Sequence, residues 1–138
     1  MLMIVLYLWT NIIFLPPQAP LVLVKTKEAY SLWHKHLVNL KRVERYTIGT
    51  EVDKTFLELL EFIFRACFAF DKFEKQAHIS SAIGKSDLVK FLLQIAWEND
   101  ILNSTVYGKL IIHLEHTGKM LGGWKKSVNE KTHPTHKR

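Results

Sequence analysis

Between Glu51 and Phe73 the chain carries apolar side chains in two separate rows, and this constrains its fold more than any other feature. Val52, Phe56, Leu59, Ile63, Ala66 and Phe70 recur at the three- and four-residue spacing of one helix face, which is expected to point into a core. Leu57, Leu60, Phe64 and Phe68 form a second row on a neighbouring face. A surface helix of a monomer needs a single apolar face, so two rows imply burial on two sides. Either this is a central helix overlapped by its own neighbours, or the second row meets another subunit, because large exposed apolar patches mark association sites. The subunit interface is the preferred reading, and it makes Leu57, Leu60, Phe64 and Phe68 the candidate interface residues.

The same periodicity predicts three more helices. From Val24 to Leu40 the positions Tyr30, Trp33, Leu37 and Leu40 share one face, and the polar stretch Lys41–Thr50 with Gly49 is expected to be a turn. After Lys72–Gln76, a third helix is expected from Ser80 to Asn99, carrying Ile83, Leu88, Val89, Leu92, Leu93, Ile95, Ala96 and Trp97. Gly84 inside it weakens the pattern. Asn103 or Ser104 is placed to cap a fourth helix, with Tyr107, Leu110, Ile111, Leu114, Gly118 and Leu121 on one face and an end near Gly122-Gly123-Trp124. No strand-like alternation occurs. A chain of 138 residues holds one core, so the expected architecture is all-α: an antiparallel, up-down-up-down four-helix bundle over residues 21–128. An apolar extension, 1–20, precedes it, and a basic tail, 129–138, follows.

The extension is a separate problem. Met1 to Leu15 is apolar except for Thr10 and Asn11, and Pro16-Pro17-Gln18-Ala19-Pro20 closes it. Fifteen helical residues span about 22 Å, short of the roughly 30 Å of a bilayer core. No positive charge precedes the apolar stretch, as a signal peptide would require. Three readings stand: a signal-like or membrane-touching segment, an arm that packs on a partner, or an extension upstream of the working protein. The last is preferred, and membrane association is not expected unless residues 1–20 are retained.

Charge is uneven. Residues 21–50 hold six Lys or Arg against two acidic residues, 51–100 hold six against nine, and 101–138 hold seven against two. A positive field attracts nucleic acid, anionic lipid or an acidic protein without choosing among them. Lys25, Lys27, Lys35, Lys41, Arg42 and Arg45 belong to the first helix and its turn; Lys109, Lys119, Lys125, Lys126 and Lys131 belong to the last helix and tail. First and fourth helices of such a bundle are neighbours, so these charges are expected to merge into one patch that touches phosphates. The plainer alternative is that the lysines keep a small protein soluble.

Catalytic apparatus is not visible. Cys67 is the single cysteine and lies in an apolar run, which excludes a disulfide framework and suits a reducing, cytoplasmic home. His113 and His116 are three apart, a spacing that permits a shared metal, but no Glu-x-x-His pair on another helix supports them. His34 and His36 cannot converge, His133 and His136 lie in the tail, and Glu58 with Glu61 reads as a solvated edge. Gly122-Gly123 lacks the lysine and hydroxyl of a nucleotide loop. The expectation is therefore no enzyme activity, no metal and no cofactor.

Three segments together carry a resemblance: Glu44-Arg45-Tyr46-Thr47-Ile48-Gly49, Lys85-Ser86-Asp87-Leu88-Val89-Lys90-Phe91-Leu92-Leu93, and Gly118-Lys119-Met120-Leu121-Gly122-Gly123-Trp124. They resemble the four-helix-bundle family of ribosomal-RNA intervening-sequence proteins, which includes the accessory variability determinant (Avd) of diversity-generating retroelements. The resemblance covers roughly residues 21 to 130, and its last segment is the most specific. It implies a homopentameric barrel with a positively charged surface. For the Avd branch it also implies nucleic acid and the retroelement's reverse transcriptase as partners. The second apolar row is what such a ring needs. Lys90, Lys119, Lys125 and Lys126 stand at matching positions that would supply positive charge, whereas Gln94 stands where some relatives carry a further basic residue. With Lys35, Arg42, Arg45 and Lys85 these complete the candidate nucleic-acid-binding set. The expected function is that of a non-catalytic accessory protein that binds RNA or DNA. The alternative is an intervening-sequence-type oligomer, structural or protein-binding, with no nucleic-acid role.

Overall fold

The computed structural model describes the backbone of residues 20–132 and the side chains of residues 21–130. Four long helices make up the described chain: α1 (Pro20–Leu37), α2 (Thr50–Phe68), α3 (Lys72–Glu98) and α4 (Ser104–Thr132). Among the described residues there is no strand. The apolar segment 1–19 and the end of the tail, including His133 and His136, lie outside the described residues.

Helix boundaries follow local chemistry. Pro20 opens α1, the position where a missing backbone N–H costs nothing. α2 stops at Phe68, where Ala69 turns to extended backbone, so the helix is five residues shorter than the expected end at Phe73. α3 starts at Lys72 rather than Ser80. The Asp71 carboxylate accepts a hydrogen bond from the Phe73 N–H at 3.1 Å and caps it. This break leaves Phe70, expected in the core row, fully exposed. Gly84 does not interrupt α3. Asn103 caps α4 as expected, its side chain accepting from the Val106 N–H at 2.9 Å.

Two further expectations fail for tertiary reasons. α4 runs through Gly122-Gly123 to Thr132, because Val128 is buried against Ala66 and Ile79 with Trp124 packed beside it. The tail expected from residue 129 therefore begins inside a helix. The expected turn Lys41–Thr50 is itself helical: Arg42–Glu44 forms a short α turn that passes into five π-helical residues, Arg45–Gly49. Gly49 is required there, since a Cβ would stand 3.0 Å from both the Glu44 carbonyl oxygen and Leu37 Cδ1.

Each long helix packs against two others: α1 on α2 and α4, and α3 on α2 and α4. Their inner faces supply Trp33, Val52, Phe56, Leu59, Ile63, Val89, Leu93, Leu110, Leu114 and Leu121, all buried in one cluster. Full burial of such a side chain stabilises by about 1.5–3 kcal/mol. Several polar groups at the seams are paired, whereas the buried Ser86 Oγ has no hydrogen-bond partner among the described residues. Tyr30 Oη and Trp33 Nε1 both donate to Asp53 Oδ1, at 2.9 and 3.3 Å. Burial, reinforced by the Asp53 carboxylate, pushes the Tyr30 phenol up to about 12. Between α1 and α4, Thr26 donates its hydroxyl proton to the Val22 carbonyl at 2.7 Å. A hydroxyl has one proton, so in the buried Thr26–Thr117 contact of 3.2 Å Thr117 is the donor.

Candidate nucleic-acid and subunit interfaces

Among the described residues the second row of α2 is largely uncovered. Leu57, Phe64 and Phe68 are exposed and Leu60 is half-buried; the Phe64 and Phe68 rings pack only 4.8 Å from each other. Within the described residues, neighbouring helices cover this row only in part. α3 adds a second bare apolar face, with Leu88 and Phe91 exposed one turn apart. In the sequence Leu88 falls within a broad apolar set and Phe91 outside it, because spacing alone cannot separate the inner and outer sides of a helix that is apolar most of the way round.

The candidate cations divide into two kinds. Lys85 hydrogen-bonds the Glu58 carboxylate across the α2–α3 seam, and that bond holds Glu58 below its ordinary range. Lys90 sits 3.2 Å from Glu115 and 3.4 Å from Asp87. Partial burial alone would lower the Lys90 ammonium, but these two carboxylates outweigh it and raise it. Both α3 cations are therefore engaged within the protomer. Lys35, Arg42, Arg45, Lys119 and Lys126 are exposed and Lys125 half-buried; none makes an ion pair among the described residues.

The unengaged cations lie toward both ends of α1. Leu21 and Val22 at the start of α1 line a cavity with Met120, Gly123 and Trp124 of α4, which sets Lys119, Lys125 and Lys126 beside the beginning of α1. Arg42 and Arg45 follow the other end of α1, and a helix of that length rises about 25 Å. The seam between α1 and α4 carries Lys25, His116 and Lys119 around a shallow cavity of about 270 Å³ floored by Met120. Lys25 also pairs with Glu28 at 3.6 Å.

In the α1–α2 connection, Tyr46 is 70% exposed and Val43 is exposed beside it. The Arg42 guanidinium lies 6.0 Å from the Tyr46 ring centroid. Sequence reasoning quoted Tyr46 only as part of a resembling segment. The signal available was an aromatic residue inside the run Lys41-Arg42-Val43-Glu44-Arg45-Tyr46.

Of the groups considered for catalysis, Cys67 is buried, and desolvation pushes its thiol up to about 11, which disfavours the nucleophilic thiolate. His113 is half-buried and His116 exposed. Among the described residues no group of three or more His, Cys, Asp or Glu side chains is arranged to hold a metal ion. No described helix is long and apolar enough to cross a membrane. Comparison with known proteins found no matching family model, no matching curated protein and no matching solved structure.

Proposed function

We propose that the chain is a protomer of a homo-oligomeric, antiparallel up-down-up-down four-helix bundle that binds nucleic acid without catalysing a reaction. The observation that carries this reading is the division of its cations. Lys35, Arg42, Arg45, Lys119 and Lys126 stand exposed and unpaired among the described residues, whereas Glu58 engages Lys85, and Asp87 and Glu115 engage Lys90. Unpaired surface cations gain by replacing the counterions of a phosphate backbone, and this affinity is sequence-independent and salt-dependent.

The partner order supports the antiparallel arrangement. Along α3 the residues Gln76, Lys90 and Trp97 meet Asn129, Glu115 and Ser104 of α4, so numbers rise on one helix as they fall on the other. Two bare apolar faces, on α2 and α3, support association through unlike surfaces, the kind of contact that closes into a ring. The resemblance to the intervening-sequence and Avd family agrees with a pentamer and with a reverse transcriptase as protein partner. Titration of labelled RNA and DNA at several salt concentrations tests the reading. A steep loss of affinity with salt is expected, and no binding at low ionic strength overturns it.

A second reading has its own observation. α2 and α3 each carry exposed apolar residues, and two of the eight candidate cations are consumed internally. A structural or protein-binding oligomer indifferent to nucleic acid fits these facts. Light scattering combined with the same titration separates the two, since this reading requires an oligomer that ignores nucleic acid.

A further inference from the structure

We propose that Tyr46, standing out from the α1–α2 connection next to Arg45 and within reach of Arg42, is a stacking platform for an unpaired base of single-stranded nucleic acid. The inference rests on the nucleic-acid-binding reading above, and adds to it the form of the ligand and the residue that recognises it.

An exposed tyrosine on a slack loop would carry little meaning. Tyr46 instead sits on backbone held from several directions. The Arg45 N–H donates to the Lys41 carbonyl at 2.9 Å, and the Thr47 hydroxyl donates to the Val43 carbonyl at 2.8 Å. The Thr50 hydroxyl donates to the Arg45 carbonyl at 2.9 Å. The close approach of Gly49 to Glu44 and Leu37 closes the turn. π-Helical turns of this kind are frequent at functional sites. The backbone that carries the ring is thus ordered before any ligand arrives, and binding loses less conformational freedom. With most of its surface in water, the ring spends a large apolar area on nothing within the described protomer.

The charge around it selects the occupant. Lys41, Arg42 and Arg45 are exposed and make no ion pair among the described residues. The one carboxylate between Lys41 and Gly49, Glu44, is half-buried. The Arg42 guanidinium within reach of the ring adds a cation–π contact that stiffens the platform. A flat apolar face beside several free cations matches a ligand whose flat π-faces alternate with anionic phosphates. Only an unpaired strand presents both, because a duplex keeps its base faces stacked inside. An acidic protein segment would satisfy the cations but would leave the ring unused.

The test uses the full chain, an unstructured RNA oligonucleotide and a fully paired duplex of equal length. Tyr46→Ala is expected to weaken single-strand binding about 5- to 150-fold, the usual effect of removing one stacking aromatic. The slope of affinity against salt stays unchanged because no charge is lost. Tyr46→Phe keeps the ring and the affinity, duplex binding is the same in all three proteins, and Arg42→Gln lowers the salt slope by about one. Single-strand affinity of Tyr46→Ala equal to that of the parent chain overturns the inference and leaves the proposed function standing. An equal loss on duplex, or a change of oligomeric mass in Tyr46→Ala, also overturns it, the latter by assigning the ring to a protein contact. A parent chain that binds neither probe at low ionic strength overturns the proposed function itself, and the inference with it.

Discussion

Phe56 and Phe64 lie about two turns apart on α2, are the same residue, and live in opposite surroundings. Phe56 is 0% exposed and meets the Tyr30 ring edge-on at 5.7 Å, inside the cluster shared by all four helices. Phe64 is 54% exposed, with its ring centroid 4.8 Å from that of Phe68. The inner row is buried by the described helices; the outer row is largely left exposed by them. Burial is therefore a property of what the tertiary structure brings alongside, and a row of phenylalanines left without neighbours is a surface that a second molecule can cover.

The largest expected effect breaks the comparison from the inside. Phe56→Ala removes a fully buried ring and should destabilise the protein by about 3–5 kcal/mol in urea unfolding. A loss below about 1 kcal/mol would mean that the inner row is no better packed than the outer. Phe64→Asp attacks the other side. It should shift the stability of the isolated protomer by no more than about 0.5 kcal/mol, while reducing the mass measured by light scattering. Unchanged mass with lost stability would return Phe64 to the protomer's own fold.

Smaller changes sharpen the same contrast on α3. A Cβ at Gly84 would meet nothing within 4 Å, so Gly84→Ala should add about 0.5–1 kcal/mol through helix propensity. If the outward side of α3 is pressed against a second copy, the gain disappears and light scattering shows a smaller particle. The smallest effect concerns the seam flanking the two rows. Glu58 is held below its ordinary value of 4.5 by its hydrogen bond to Lys85. Its contribution is present above that ordinary range and is lost as pH falls through the depressed folded value. Because the pair is partly exposed, Glu58→Gln should cost about 0.2–1 kcal/mol near neutrality and flatten the acid limb of stability against pH. An acid limb of unchanged steepness would show that the pair does not contribute.

Much of the fold was legible because local signals coincided. The core positions Trp33, Val52, Phe56, Leu59 and Leu114 sit at helical spacing, and the Asn103 cap precedes its helix by one residue. Asp71 was also legible, since Glu74 three residues on completes a capping pattern, but the apolar run through Phe70 and Phe73 masked it. Gly122-Gly123 misled because glycine usually ends a helix, and only the burial of Val128 against Ala66 and Ile79 carries α4 past it. At the candidate site, charge was readable and its engagement was not. Lys85 and Lys90 look as free in the sequence as Lys119 does; what neutralises them is Glu58 and Glu115 on other helices, distant along the chain.

The sequence alone determined that the chain is helical, where its inner faces lie and that its cations cluster at both ends, because periodicity and charge are local properties. Tertiary structure decided which apolar row stays bare, which lysines are free, and that the supposed turn holds Tyr46 outward on a fixed π-helical segment. The first two depend on contacts between residues far apart in sequence, which no local pattern records, and the third on a change of helical hydrogen bonding within the segment itself.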